Sequence, residues 1–381
     1  MDSELRQLLL SAPVPDELDA QRRAWHVVSD AYDDREQVPA RRERRLRPLL
    51  ALAAAAVLAL GAAVSPVGGW LRDRVTGEEA APEPALVRLP TPGPLLVVSD
   101  QGPWIVQPDG SQRLLGGYED ASWSPRGRFV IVADDQRITA VEPDGDARWT
   151  LTKGQRLADP RWAPLPGERV AYRAGRTLRV VDGNGTDDRL LARGVAAVAP
   201  AWRPRPLGEY VLAYADARGR VHVVDVDTRR ELWRADPGAP VTELLWSADG
   251  RLLALTAGSD HPLYNARGRV AARLKDKVDR ASFGPRGREL AYSSREGEQA
   301  VVRLWDGRRT RTLAELPGRF GDVEWSPNGR WLLVGRPDPD EWLFLRLGGA
   351  GGVETVEDVR RQFDPGGEGI GSFPRVAGWC C

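Results

Sequence analysis

Apolar and polar residues do not alternate in one way along this chain. Residues 48–71 form an uncharged run centred on Leu49-Leu50-Ala51-Leu52-Ala53-Ala54-Ala55-Ala56-Val57-Leu58-Ala59-Leu60. About 20 such residues, as a helix, span roughly 30 Å of hydrocarbon. From residue 95 the pattern becomes short apolar runs separated by Gly, Pro and Asp turns, as in Leu252-Leu253-Ala254-Leu255 and Leu332-Leu333-Val334. Such runs predict strands of an all-β domain.

An aromatic anchor punctuates the second region. It begins Trp123-Ser124-Pro125-Arg126-Gly127-Arg128 and recurs at Trp162, Trp202, Trp246, Phe283 and Trp325. The spacings are 39, 40, 44, 37 and 42 residues. A period near 40 without helical pattern between anchors predicts a β-propeller of four-stranded blades. The first strand of each blade ends at the anchor. Ser-Pro-x-Gly makes the next turn, because Pro presets φ and Gly supplies positive φ. Later strands include Leu178-Arg179-Val180-Val181 and the outer Glu231-Leu232-Trp233. Residues 95–115 hold later strands with no anchor before them, and Phe373 to Trp379 reads as a first strand with none after it. One blade built from both ends closes the ring and removes its free edges. Six internal repeats plus that blade make seven; six blades remain the alternative.

The aromatic-Ser-Pro-x-Gly-Arg core resembles the WD40-like repeat of the TolB type, also found in propellers of prolyl oligopeptidase relatives. The resemblance covers residues 95–379 and is clearest at Trp123 and Trp325. The repeats at Trp162 and Trp202 carry insertions, and Gly284 replaces the usual Ser after Phe283. The resemblance implies the fold and a bacterial envelope setting, and transfers no activity.

Charge orients the apolar run. Five arginines lie in residues 41–47, against Arg72 and Arg74 mixed with acids after it. The positive-inside rule then makes residues 1–47 a cytoplasmic helical segment, 48–70 a single transmembrane helix, 71–94 a Pro-rich linker and 95–381 an extracytoplasmic propeller. A cleaved signal peptide is the competing reading, against which a 47-residue leader is too long. In the cytoplasmic segment Leu18, Trp25, Val28 and Tyr32 share one helix face. That face either packs within a small helical hairpin or docks a cytoplasmic protein partner, an anti-sigma role among the options.

The whole chain has 54 basic and 54 acidic residues, which argues against nucleic acid as partner. Three scattered histidines and a terminal Cys380-Cys381 pair offer no metal-binding spacing, and no cofactor loop, nucleophile elbow or other catalytic motif is present, so we expect no catalytic residues, metal or cofactor. Asp182-Gly183-Asn184-Gly185 reads as a hairpin turn rather than a calcium loop. Three residues before the anchors stand Asp120, Asp159, Ala199, Glu243, Arg280 and Asp322. The family resemblance implies that this column lies near the start of each innermost strand, at one mouth of the central channel. Two readings stay open. The carboxylates form a ring that attracts a basic peptide or cation, or each hydrogen-bonds the backbone of its incoming loop. The insertion from Glu357 to Ser372 is expected near the same mouth as a lid. The expected function is binding: a membrane-anchored propeller presented to a protein or peptide partner; the alternatives are a transmembrane regulator whose cytoplasmic helix engages a sigma factor and, ranked below it, an envelope enzyme using the propeller channel.

Overall fold

In the computed structural model the chain divides into two units, Met1–Ala80 and Ala81–Cys381. The structure describes residues 88–165, 167–204, 209–348, 351–365 and 371–381. The helix-face residues Leu18, Trp25, Val28 and Tyr32 and the apolar run 48–70 lie outside these residues. Among the described residues no helix is long and apolar enough to cross a membrane.

Seven antiparallel sheets of four strands make the ring. Blade 1 is β4 (Asp120–Trp123), β5 (Val130–Ala133), β6 (Arg137–Val141) and β7 (Ala147–Thr152). Blade 2 is β8 (Leu157–Trp162), β9 (Arg169–Ala174), β10 (Thr177–Asp182) and β11 (Arg189–Arg193). Blade 3 is β12 (Ala201–Trp202) through β15 (Glu231–Ala235), and blade 4 is β16 (Val241–Trp246) through β19 (Val270–Leu274). Blade 5 runs from β20 (Val278–Phe283) and β21 (Leu290–Glu296) to β23 (Thr310–Pro317). Blade 6 runs from β24 (Val323–Trp325) and β25 (Trp331–Arg336) to β27 (Val353–Val356). The seventh blade joins β28 (Arg375–Trp379) to β1 (Leu95–Ser99), β2 (Gly102–Val106) and β3 (Gln112–Leu114). Leu95 pairs with Trp379 and Val98 with Arg375, so both ends of the repeat region share this blade. The six-blade alternative is excluded by this pairing.

In every blade the first strand ends at the aromatic anchor. In blades 1, 4 and 6 a serine follows the anchor and orders the turn. Ser326 N–H donates to the Trp331 carbonyl, Gly329 N–H to the Ser326 carbonyl, and Trp331 N–H to Ser326 Oγ at 2.9 Å. Ser124 and Ser247 make the same three bonds. Gly127, Gly250 and Gly329 sit at φ of 63°, 63° and 68°, a conformation that costs other residues energy. The Gly284 turn keeps the backbone bond to Glu289 but has no side-chain oxygen to add.

The cores lie between blades. Trp162, Trp202, Trp246, Trp325 and Trp379 are buried, whereas Trp123 and Phe283 are partly exposed. Three anchors also tie to the preceding blade: the indole N–H groups of Trp202, Trp246 and Trp325 donate to the carbonyls of Arg161, Ala201 and Ser282. Each ring thus fills the gap between two sheets while its polar atom stays satisfied. Residues 182–186 form a hairpin turn, with Asp182 N–H donating to the Thr186 carbonyl.

The insertion after β27 holds one short helix, α1 (Val359–Gln362). Val359 and Phe363 are buried, and Phe363 packs against Trp104 and Trp342. Arg360 N–H donates to Asp340, Gln101 donates to Asp364, and Ser372 N–H donates to Asp100. These bonds hold the described part of the insertion on two loops, one from blade 6 and one from the closing blade. Among the described residues, none from 357 to 365 lines the channel-mouth cavity.

Candidate functional site at the channel mouth

The loops entering the first strands surround one mouth of the channel. A cavity of about 770 Å³ opens there, lined by residues of blades 1 to 4 and by Arg375 of the closing blade. Asp120, Asp159 and Glu243 lie on its wall, as does Ala199. Arg280 and Asp322 line a separate cavity of about 360 Å³ at the same face.

β-Bulges shape this wall. The pairing register shifts between Ala158 and Arg161, between Val241 and Glu243, and between Val278 and Arg280. A bulge adds one unpaired residue and re-aims the side chains beside it. In blades 2, 4 and 5 the irregularity falls at the column three residues before the anchor. At Asp159 it is strong enough to give φ of 52°, a region that Asp tolerates better than most residues.

The carboxylates of the column are extensively paired. Asp120 accepts from Arg375 at 2.6 Å, from Arg161 at 3.3 Å and from the Ala121 N–H at 2.9 Å. Burial pushes its pKa up, but the two guanidiniums outweigh this and hold it below the usual carboxylate range. Asp159 pairs with Arg173. Asp322 accepts from Arg280 Nε at 3.3 Å and from the Val376 N–H at 2.9 Å. In the larger cavity Glu119, Asp120, Asp159 and Glu243 face Arg156, Arg161, Arg173 and Arg375, so its wall is charged yet balanced. Charges that alternate in this way give a partner a pattern to match rather than a uniform field.

Glu243 is different. It makes no side-chain hydrogen bond or ion pair among the described residues. Burial pushes its pKa up to about 7, with Arg280 pulling it down and Asp322 pushing it further up. A second carboxylate behaves alike. Glu324, one residue before the Trp325 anchor, is pushed up to about 8 by burial and by Asp322. Its one side-chain partner is the Ser282 hydroxyl at 3.5 Å.

The expected column therefore omits Arg161 and Arg375, which line the larger cavity, and Glu324, whose charge is coupled to Asp322 and Glu243. Arg161 and Glu324 stand immediately before anchors. Strand side chains repeat every two residues, so this position shares a face with the column two residues earlier. That signal is present in the sequence. Arg375 has no such signal, because β28 meets β4 through closure of the ring.

No family model matches the chain, and no curated protein matches it. Solved structures do. A chain of the mitotic checkpoint complex superposes with a TM-score of 0.50 at 17% identity, covering 62% of this chain and 74% of that one. KlHsv2 with loop 6CD replaced by a Gly-Ser linker gives a TM-score of 0.52 at 12% identity, covering 69% and 93%. The β-propeller domain of Cps50 (Swd1) from Myceliophteria thermophila gives 0.49 at 14% identity, covering 65% and 94%. At these identities the likeness concerns the fold. Residues 95–379 form a seven-bladed β-propeller of the WD40-like kind.

Proposed function

We propose that this chain is a non-enzymatic binding protein whose propeller presents its channel mouth to a protein or peptide partner. The observation that carries the reading is the balanced, bulge-shaped cavity of about 770 Å³, which has room for several side chains and offers both signs of charge. WD40-like architecture suits it, since rigid blades hold variable loops on one face. The propeller is of the TolB-like type, consistent with its aromatic-Ser-Pro-x-Gly-Arg turns. The uncharged segment 48–70 and the arginines before it support a single-pass anchor that leaves the propeller outside the cytoplasm of a bacterial cell.

The test is cross-linking of the full-length chain in its host membrane with photoreactive residues at Thr242 and Ala197, which line the cavity. Adducts with one defined protein support the reading. Labelling spread equally over control sites on the outer strand β7 refutes it.

A second reading rests on the apolar face of Leu18, Trp25, Val28 and Tyr32. That face supports a regulator whose cytoplasmic segment engages a protein such as a sigma factor. If deletion of residues 16–32 leaves every cytoplasmic partner bound, this reading fails.

A further inference from the structure

The smaller cavity at the channel-mouth face is built from parts distant in sequence. It lies where the loops of blades 5 and 6 meet the segment entering β28. Arg280, Arg295, Arg319 and Arg375 surround it, against Asp279 and Asp322. Both oxygens of Asp322 are already engaged, one by Arg280 and one by the Val376 N–H. Arg375 is held by Asp120.

Two guanidiniums are uncommitted by comparison. The Arg295 side chain makes no hydrogen bond or ion pair among the described residues. Arg319 meets Asp338 at 3.4 Å, with both side chains more than half exposed. Such exposed pairs exchange readily for another carboxylate. The remaining wall is apolar and rigid. Phe320 is buried, Pro337 and Pro374 have few rotamers to lose, and Phe373 lies against the backbone of Gly335. A Cβ on Gly335 would fall 2.9 Å from the Phe373 ring, so the glycine is what lets that ring seat. The Arg360 guanidinium stands 5.4 Å from the centre of the same ring.

We infer that this cavity binds an acidic peptide segment, with a carboxylate bridging Arg295 and Arg319 and an adjacent apolar side chain resting on Phe373 and Pro337. The chemistry selects this ligand in two steps. Planar guanidiniums match a carboxylate by paired hydrogen bonds. The aromatic and proline wall rewards an apolar neighbour, which inorganic anions lack. A volume of about 360 Å³ takes two or three side chains rather than a folded surface. The inference rests on the reading of the propeller as a peptide-binding module and names the charge of the peptide at this corner.

The test uses the full-length chain in detergent and an array of hexapeptides of three kinds: Glu or Asp mixed with Leu and Phe, Lys or Arg mixed with the same residues, and uncharged controls. Retention of the acidic set, with roughly tenfold weaker binding by the Arg295→Glu and Arg319→Glu variants, supports the inference. Glutamine analogues of the retained peptides then lose affinity similarly. Retention of the basic or neutral set alone overturns the acidic-segment inference while peptide binding stands. Retention of none overturns both. Displacement of a bound acidic peptide by inorganic phosphate at equal concentration shows a bare anion site and also overturns it. Neither arginine supports the core, and unchanged tryptophan fluorescence and thermal melts of the variants establish that the fold is intact.

Discussion

Glu324→Gln keeps the shape of a channel side chain and removes its charge. In the folded protein burial and the neighbouring Asp322 raise this carboxyl from its ordinary value of 4.5 to about 8. The folded state therefore holds a proton that the unfolded chain releases above about pH 4.5. Folding stability from this group is fully present below that pH and is lost as pH rises toward 8. The interval from 4.5 to pH 8, at 1.36 kcal/mol per pH unit, bounds this loss at about 5 kcal/mol. Glu243 is raised to about 7 and shares Asp322 as a neighbour, so the two titrate together and part of this penalty is joint. We expect Glu324→Gln to be as stable as the parent at pH 4.5 and more stable by about 2–3 kcal/mol at pH 8. The amide still reaches the Ser282 hydroxyl, so no hydrogen bond need be lost. Urea unfolding followed by tryptophan fluorescence at both pH values measures the difference. Equal midpoints at pH 8, or a variant less stable than the parent there, would refute an electrostatic penalty in the channel.

Other expectations follow from the same geometry. Trp325→Phe removes the indole donor to the Ser282 carbonyl and part of the filling between blades 5 and 6, at a cost of about 1–3 kcal/mol. Because Phe283 occupies the equivalent place in blade 5, the variant should still fold, and an unchanged melting temperature would show that the bond contributes nothing. His261 Nε2 accepts the Val278 N–H at 3.0 Å, and burial lowers its pKa below 6.5. Stability from this imidazole is present above pH 6.5 and lost as pH falls through the lowered value, opposite in sign to Glu324. His261→Leu should therefore flatten the acid side of the stability profile, and an unaltered profile between pH 7 and 5 would contradict this. Protease added outside intact cells should cut the tether at residues 75–94. Full protection there overturns the proposed orientation.

The ring is legible in the sequence because its turns are local chemistry. A serine whose hydroxyl accepts the N–H five residues on, followed by a positive-φ glycine, is visible in six contiguous letters at Trp325. The anchors mark strand ends for the same reason, and the closing blade follows from strands left without partners at each end. The channel mouth was legible only in part. Asp120, Asp159, Glu243, Arg280 and Asp322 stand in one column, and Arg280 pairs with Asp322 within it, but the partners of Asp120 and Asp159 lie elsewhere. Arg375 reaches Asp120 across 255 residues, and Arg173 meets Asp159 across a bulge. Bulges shift register without altering the hydrophobic period enough to be read from a single chain. The arginine-lined corner was invisible for a simpler reason: positions 280, 295, 319 and 373 become neighbours only once blades 5 and 6 and the incoming β28 are in place.

The pairing of Leu95 with Trp379 has a consequence for biosynthesis. Hairpins within blades 1 to 6 join residues close in the chain, so little loop-closure entropy opposes them. The β1 edge must instead wait for β28, which is distant in the chain. Until then the ring is an open arc in which β1 (Leu95–Ser99) is paired with β2 on one side only, and its residues Leu95, Leu96 and Val97 are fully buried in the finished ring. Such an edge invites pairing with other chains. If the tether holds that strand beside a membrane, nascent copies are kept apart in two dimensions rather than mixed in three. Seam closure between β1 and β28 is then the step that hides this edge.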